Sequence, residues 1–234
     1  MNSKLKNFII AELSGWKIYE IIFLLVIYAL ALYNAIALKD NIFAVIAAIC
    51  GASATAAAGK GKISTYLFGI ISTLCYAYIA FKSAVYGNFL LNLCYYFPMQ
   101  FIGIFAWKRH MKSDKQEIVK TKLSKKEFIV IALLLFFSCI GFSRILVYFN
   151  DVHPYIDSIT TIGSIFGVFL TVRRCFEQWY LWLVVNALTL YMWINIVLNG
   201  QKAYSTVIQW SAYFIIGIYF MFVWRKELHS NNNL

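Results

Sequence analysis

Eight long apolar stretches punctuate this chain, at roughly 20–38, 41–58, 63–81, 89–107, 128–149, 155–172, 178–198 and 203–224. A helix needs about 20 mostly apolar residues to cross the bilayer core. Only helices or closed barrels can satisfy their backbone polar groups there. Barrel strands are short and alternate in polarity, and these stretches do neither. The sequence therefore specifies an all-α polytopic membrane protein with eight transmembrane helices. Only 13% of its residues are charged, against about a quarter in soluble domains. Eight spans leave no room for a separate soluble domain.

The net charge of +11 could point to nucleic acid, but the cations sit at span ends, where basic residues set orientation. No nucleic-acid partner is expected; the lipid bilayer is. With eight spans both termini share a side. On it fall Lys4, Lys6, Lys17, Lys60, Lys62, the cluster from Lys108 to Lys126, Arg173, Arg174, Arg225 and Lys226. The opposite side holds Lys39, Lys82 and Lys202, beside Asp40, Asp151 and His153. The positive-inside rule places both termini in the cytoplasm. Residues 1–17 read as an amphipathic lead at the membrane surface, since Glu12, Ser14, Gly15 and Lys17 interrupt any signal-like apolar run. Cys50, Cys75, Cys94, Cys139 and Cys175 form no CxxC pair and read as small apolar residues.

An internal repeat organises the chain. Lys60 meets Arg173, Tyr78 meets Tyr191 and Gly87 meets Gly200 at one constant shift. Ile102-Gly103-Ile104-Phe105 meets Ile216-Gly217-Ile218-Tyr219 when that shift is lengthened by a single position. Trp107 and Trp224 each close a span and precede two basic residues. Transporters are often built from such repeats. The expected plan is 1+3+1+3: a lead (1–17), an extra span (18–38), a three-helix unit (41–107), a basic loop (108–127), a linker span (128–149), a second three-helix unit (155–224) and a tail (225–234). The intervening span restores orientation, so the two units run parallel. The basic loop is expected to be solvated near anionic headgroups.

Polar groups at membrane depth are expensive and mark function or helix packing. The fourth stretch carries Asn88, Asn92 and Gln100 around Pro98. Asn88 and Asn92 share a face, while Gln100 lies about a third of a turn off it. Pro98 removes a backbone bond and should kink the helix. In the seventh stretch Trp179, Trp182, Asn186, Thr189 and Trp193 form one stripe at helical spacing. The interfacial aromatic belt explains Trp179 and Trp193. It explains Trp182 less well, because that residue lies a turn deeper on the face of Asn186. An aromatic face beside an amide suits a flat polar ring. Asp157 is the best-placed acid near the core, and Gln209 and Tyr213 lie a turn apart in the last stretch. The small-residue run Gly51–Gly59 suits close helix packing.

His110, His153 and His229 all fall in loops or tails. No HExxH, GxSxG, Walker A or GxGxxG motif is present, so no metal, cofactor or catalytic residue is expected, and the chain does not read as an enzyme. A neutral tunnel with aromatic walls fits passive or exchange transport of an uncharged or cationic solute.

The segments G87-N-F-L-L-N-L-C-Y-Y-F-P-M-Q100 and W179-Y-L-W182-L-V-V-N186 resemble the signatures of the PnuC family, bacterial nicotinamide riboside transporters. The resemblance covers all the spans and the basic loop. It implies a SWEET-like fold with parallel repeats, a homotrimer in the bacterial inner membrane, and facilitated diffusion. Net uptake would then come from phosphorylation by a cytoplasmic nicotinamide riboside kinase. It also implies that Trp182 and Asn186 contact the pyridinium carboxamide, with Asn88, Asn92 and Gln100 on the facing wall. Gln209, Tyr213 and Asp157 join this candidate site, and Trp179 is a candidate gate. The rival readings are a same-fold carrier of another flat vitamin, such as thiamin or riboflavin, and a membrane-embedded enzyme. A structural or signalling membrane protein is a third.

Overall fold

The computed structural model describes residues 9–37, 39, 41–82, 86–111, 118–150 and 153–231. Lys4, Lys6, Asp40, Asp151 and the middle of the basic loop lie outside the described residues. The helices are α1 (Ile18–Ala37), α2 (Ile42–Lys60), α3 (Ser64–Lys82), α4 (Tyr86–Lys108, in three successive pieces), α5 (Lys125–Tyr148), α6 (Pro154–Val172), α7 (Gln178–Leu198) and α8 (Tyr204–Asn231). Among the described residues, these eight helices are long and apolar enough to span a membrane. Local chemistry fixes their ends. The Asn41 side chain accepts from Phe43 N–H at the start of α2, and Gly61 ends that helix at φ 69°, a conformation glycine adopts freely. Ser124 and Glu127 form a reciprocal capping box at α5. The last helix runs to Asn231, past the expected end at 224.

Helices α2, α3, α4, α6, α7 and α8 close a ring. Within each half, α2 packs on α3 and α3 on α4, and α6 packs on α7 and α7 on α8. Between halves, α8 packs on α2 and α4 on α6. α1 lies outside against α2 and α8, and α5 outside against α6. Only Ser143 is buried among the 24 residues of α5. The small-residue run of α2 does what the sequence implies: Gly51, Ala52, Ser53, Ala56, Ala57 and Gly59 are buried, so neighbouring backbones approach closely.

One end of the bundle, here the basic end, is tied tightly. Glu20 pairs with Lys60 at 2.7 Å and accepts from the Tyr219 hydroxyl at 2.7 Å. Lys62 is fully buried and donates to the Ala11 carbonyl. The lead turns helical over 9–13, and Glu12 accepts from Ile63 and Ser64 N–H at the start of α3. The basic loop is less solvated than its charge implies. Ile118 is buried and its N–H donates to Gly61 O, while Thr121 N–H donates to Arg174 O and Thr121 O accepts from Phe176 N–H in the turn after α6. That stretch of chain therefore touches both halves. Burial pushes the Cys175 thiol up from its ordinary value, in keeping with an inert structural role.

Candidate solute-binding cavity

Inside the ring lies a cavity of about 830 Å³, within the roughly 300–1,000 Å³ range of small-molecule sites. All nine candidate site residues line it: Trp179, Trp182 and Asn186 from α7, Asn88, Asn92 and Gln100 from α4, Asp157 from α6, and Gln209 and Tyr213 from α8. A second, apolar groove of about 900 Å³ runs along the outside of the ring beside α5.

α4 reaches the cavity through a distortion. Pro98 cannot donate to Cys94 O, and the helix widens into a π turn over Leu91–Tyr96, where Phe97 N–H reaches back to Asn92 O. Proline is thus met by a re-registered backbone ladder. The consequence is angular. In a regular helix at 3.6 residues per turn, Gln100 would stand about 80° from Asn92. A π turn absorbs one residue and reduces that offset to about 20°. The offset expected for Gln100 is therefore removed, and the three amides share one wall. Asn92 is buried and its amide donates to Asn88 O at 2.8 Å. Gln100 approaches the Thr73 hydroxyl at 3.5 Å.

Beyond α6, the wall continues with α7. Trp182 is half-buried and its ring is held flat by two contacts. Its indole N–H donates to Thr171 Oγ1 at 3.0 Å. A Cβ on Gly167 would come within 3.1 Å of the same ring, so glycine there admits the close approach. Asn186, 3% exposed, has a carboxamide oxygen with no hydrogen-bond partner. Gln209 donates to the Tyr213 hydroxyl at 2.7 Å and leaves its own oxygen unpartnered. A Cβ on Gly51 would overlap that hydroxyl. Buried polar atoms almost always find partners, so two orphaned acceptors in residues lining one cavity suit a polar ligand.

Trp179 is 2% exposed. It stacks on Phe220 at 6.0 Å and meets Trp224 edge-on at 5.6 Å, at the basic end of the cavity. Asp157 is half-buried on the wall near the other end, in the first turn of α6. It is the only Asp, Glu, Lys or Arg among the described lining residues.

Trp193, like the buried Trp179, departs from its expected place in the aromatic belt. It lines the cavity and meets Tyr76 edge-on at 6.5 Å, with Trp210 on the same tyrosine at 6.3 Å. Tyr66, Tyr76, Tyr96 and Trp210 also line the cavity without having stood out in the sequence. Tyr66 carried a usable signal, because the shift that relates Lys60 to Arg173 also relates Tyr66 to Trp179.

The sequence model of the family described as Nicotinamide mononucleotide transporter matches residues 41–226. The chain is 31% identical over 223 residues to the nicotinamide riboside transporter PnuC of Neisseria mucosa, covering 91% of this chain and 82% of that protein. It is 28% identical over 221 residues to the PnuC of Haemophilus influenzae, covering 94% and 95%. A solved structure, the crystal structure of the vitamin B3 transporter PnuC, superposes with a TM-score of 0.84 at 30% identity, covering 94% of this chain and 96% of that one. By sequence and by fold, this chain belongs to the PnuC family of membrane transporters.

Proposed function

We propose that the protein carries nicotinamide riboside across the bacterial inner membrane by facilitated diffusion. The observation that carries this reading is the cavity's chemistry: one cavity is lined by the Trp182 ring and by Asn186 and Gln209, whose oxygens are unpartnered, with no lysine or arginine among the described lining residues. A pyridinium ring is attracted to a tryptophan face by roughly 0.5–2 kcal/mol. Amide oxygens accept from a carboxamide or from sugar hydroxyls. The family description names the mononucleotide, whereas the Neisseria and Haemophilus relatives are named for the riboside. The cavity favours the riboside, because a phosphate brings a charge of about −1.5 to −2 and would meet no cationic partner there.

The basic end faces the cytoplasm in this reading, and a cytoplasmic nicotinamide riboside kinase draws net uptake by consuming the solute. The 1+3+1+3 plan is supported by the matching contacts of the halves: α1 packs on α2 as α5 packs on α6, and α8 on α2 as α4 on α6. A homotrimer follows from the family resemblance. Calorimetry on the purified protein tests the reading, with nicotinamide riboside expected to bind and nicotinamide mononucleotide, thiamin and riboflavin expected not to. Equal binding of riboside and mononucleotide would overturn the site assignment. Uptake into liposomes is expected to persist when sodium and proton gradients are collapsed, and its loss would implicate Asp157 in ion coupling.

A further inference from the structure

Three polar groups at the basic end of the cavity have no hydrogen-bond partner: the Tyr66 hydroxyl, the Trp179 indole N–H and the Gln178 amide nitrogen. The residues are 4%, 2% and 1% exposed, and all three border the cavity. Burying a donor without a partner is costly, and packing alone does not need these tips. Phenylalanine would fill the place of the Tyr66 ring, and methionine that of Gln178.

The surroundings of Tyr66 and Trp179 repeat one design. The two residues occupy equivalent positions of the internal repeat, each in the first turn of the middle helix of its half. The Tyr66 ring meets Trp107 edge-on at 5.0 Å and 81°, and the Trp179 ring meets Trp224 edge-on at 5.6 Å and 81°. Each of those fully buried indoles then reaches across to the first helix of the other half. Trp107 donates to Thr171 O at 3.1 Å, and Trp224 donates to Gly59 O at 2.7 Å. Two copies of one latch thus tie the halves together at the basic end, and each copy leaves an unsatisfied tip buried beside the cavity.

We infer that Tyr66 and Trp179 are the two leaves of a gate on the basic side, and that with Gln178 they form a subsite for the hydroxyl oxygens of a neutral sugar as the solute leaves the Trp182–Asn186 region. This rests on the nicotinamide riboside reading. The tips are uncharged hydrogen-bonding groups, matched to hydroxyl oxygens. A ribosyl group supplies such oxygens, and the solute's other acceptor, the carboxamide oxygen, stays with the ring at the central site. The gate therefore acts on the sugar, while the central site acts on the ring.

The test is flux into liposomes, measured for nicotinamide riboside and for its 2′-deoxy, 3′-deoxy and 5′-deoxy analogues. Tyr66→Phe is expected to slow nicotinamide riboside flux about fivefold, the worth of one neutral hydrogen bond. Calorimetric affinity should stay within twofold and the thermal midpoint should not fall. The slowing should vanish for the analogue that lacks the hydroxyl Tyr66 serves. Gln178→Met is run beside it, so that a folding failure of either variant leaves the other to decide. Unchanged flux in both variants overturns the inference. So does a slowing that is equal for all four solutes, or one accompanied by a lower thermal midpoint, since each would make the tips structural. Absence of nicotinamide riboside flux in the unaltered protein would overturn the transport reading itself, a distinct outcome.

Discussion

Trp182→Ala removes the aromatic face on which the solute ring would lie. In the structure this ring is fixed from one side by Gly167 and by the bond from its N–H to Thr171 Oγ1. Thr171 in turn donates to Gly167 O at 2.8 Å. The ring is thus pre-oriented, and little ordering entropy remains to be lost on binding. Stacking of a flat ring on an aromatic side chain is worth roughly 1–3 kcal/mol. At about 1.4 kcal/mol per decade, the variant should bind nicotinamide riboside about 5- to 150-fold more weakly. The side chain is half-buried on a cavity wall, so its loss enlarges existing space instead of opening a sealed core, and the protein should still fold. Thr171→Val provides the inner control. It frees the indole without removing it, and should cost about 1 kcal/mol, or about fivefold. Calorimetry at matched oligomeric state reads both. An affinity for Trp182→Ala within twofold of the parent would refute the site, and a larger loss for Thr171→Val than for Trp182→Ala would refute the pre-orientation.

Asn186→Ala should weaken nicotinamide riboside binding about fivefold by removing one neutral hydrogen bond; unchanged calorimetric affinity would remove Asn186 from the site. Gly51→Ala should lower both thermal stability and affinity, because the new methyl group overlaps the Tyr213 hydroxyl and overpacking costs about 1–3 kcal/mol; a thermal melt at the parent value would contradict it. Lys60→Met should destabilise the fold by about 3 kcal/mol, since Glu20, whose side chain is 6% exposed, loses its ion pair; a melting midpoint equal to that of the parent would count against that.

The spans were legible because apolar length is a one-dimensional property, and the helix ends depart from it only where caps or polar turns intervene. The cavity residues were legible because polar side chains in hydrocarbon need a reason. Trp193 misled because a tryptophan near a span end satisfies the belt rule and the cavity rule alike; only its contact with Tyr76 separates the two. Tyr66 and Tyr76 were silent because tyrosine is common in this chain, at 16 residues, and its burial cannot be read from helical period. The pinned basic loop was hidden by its own charge. Lys120 pairs with Glu227 and lies over the Trp224 ring at 5.0 Å, contacts set by the last helix of the chain, which no local reading of the loop can anticipate.

The π turn in α4 is equivalent to one residue inserted into a regular helix. A deletion of a single residue between 91 and 96 would shorten the span by only about 1.5 Å, which a bilayer accommodates at little cost. Hydropathy would scarcely register the change. Because the π turn already accommodates that residue, the deletion would restore a regular helix and leave Gln100 about 20° from Asn92, still on the shared wall. A substitution that let the π turn relax to a regular helix without losing a residue would instead swing Gln100 by about 100°, off that wall. Lineages with one residue fewer between 91 and 96 should therefore have a regular helix there and still hold the three amides on one wall.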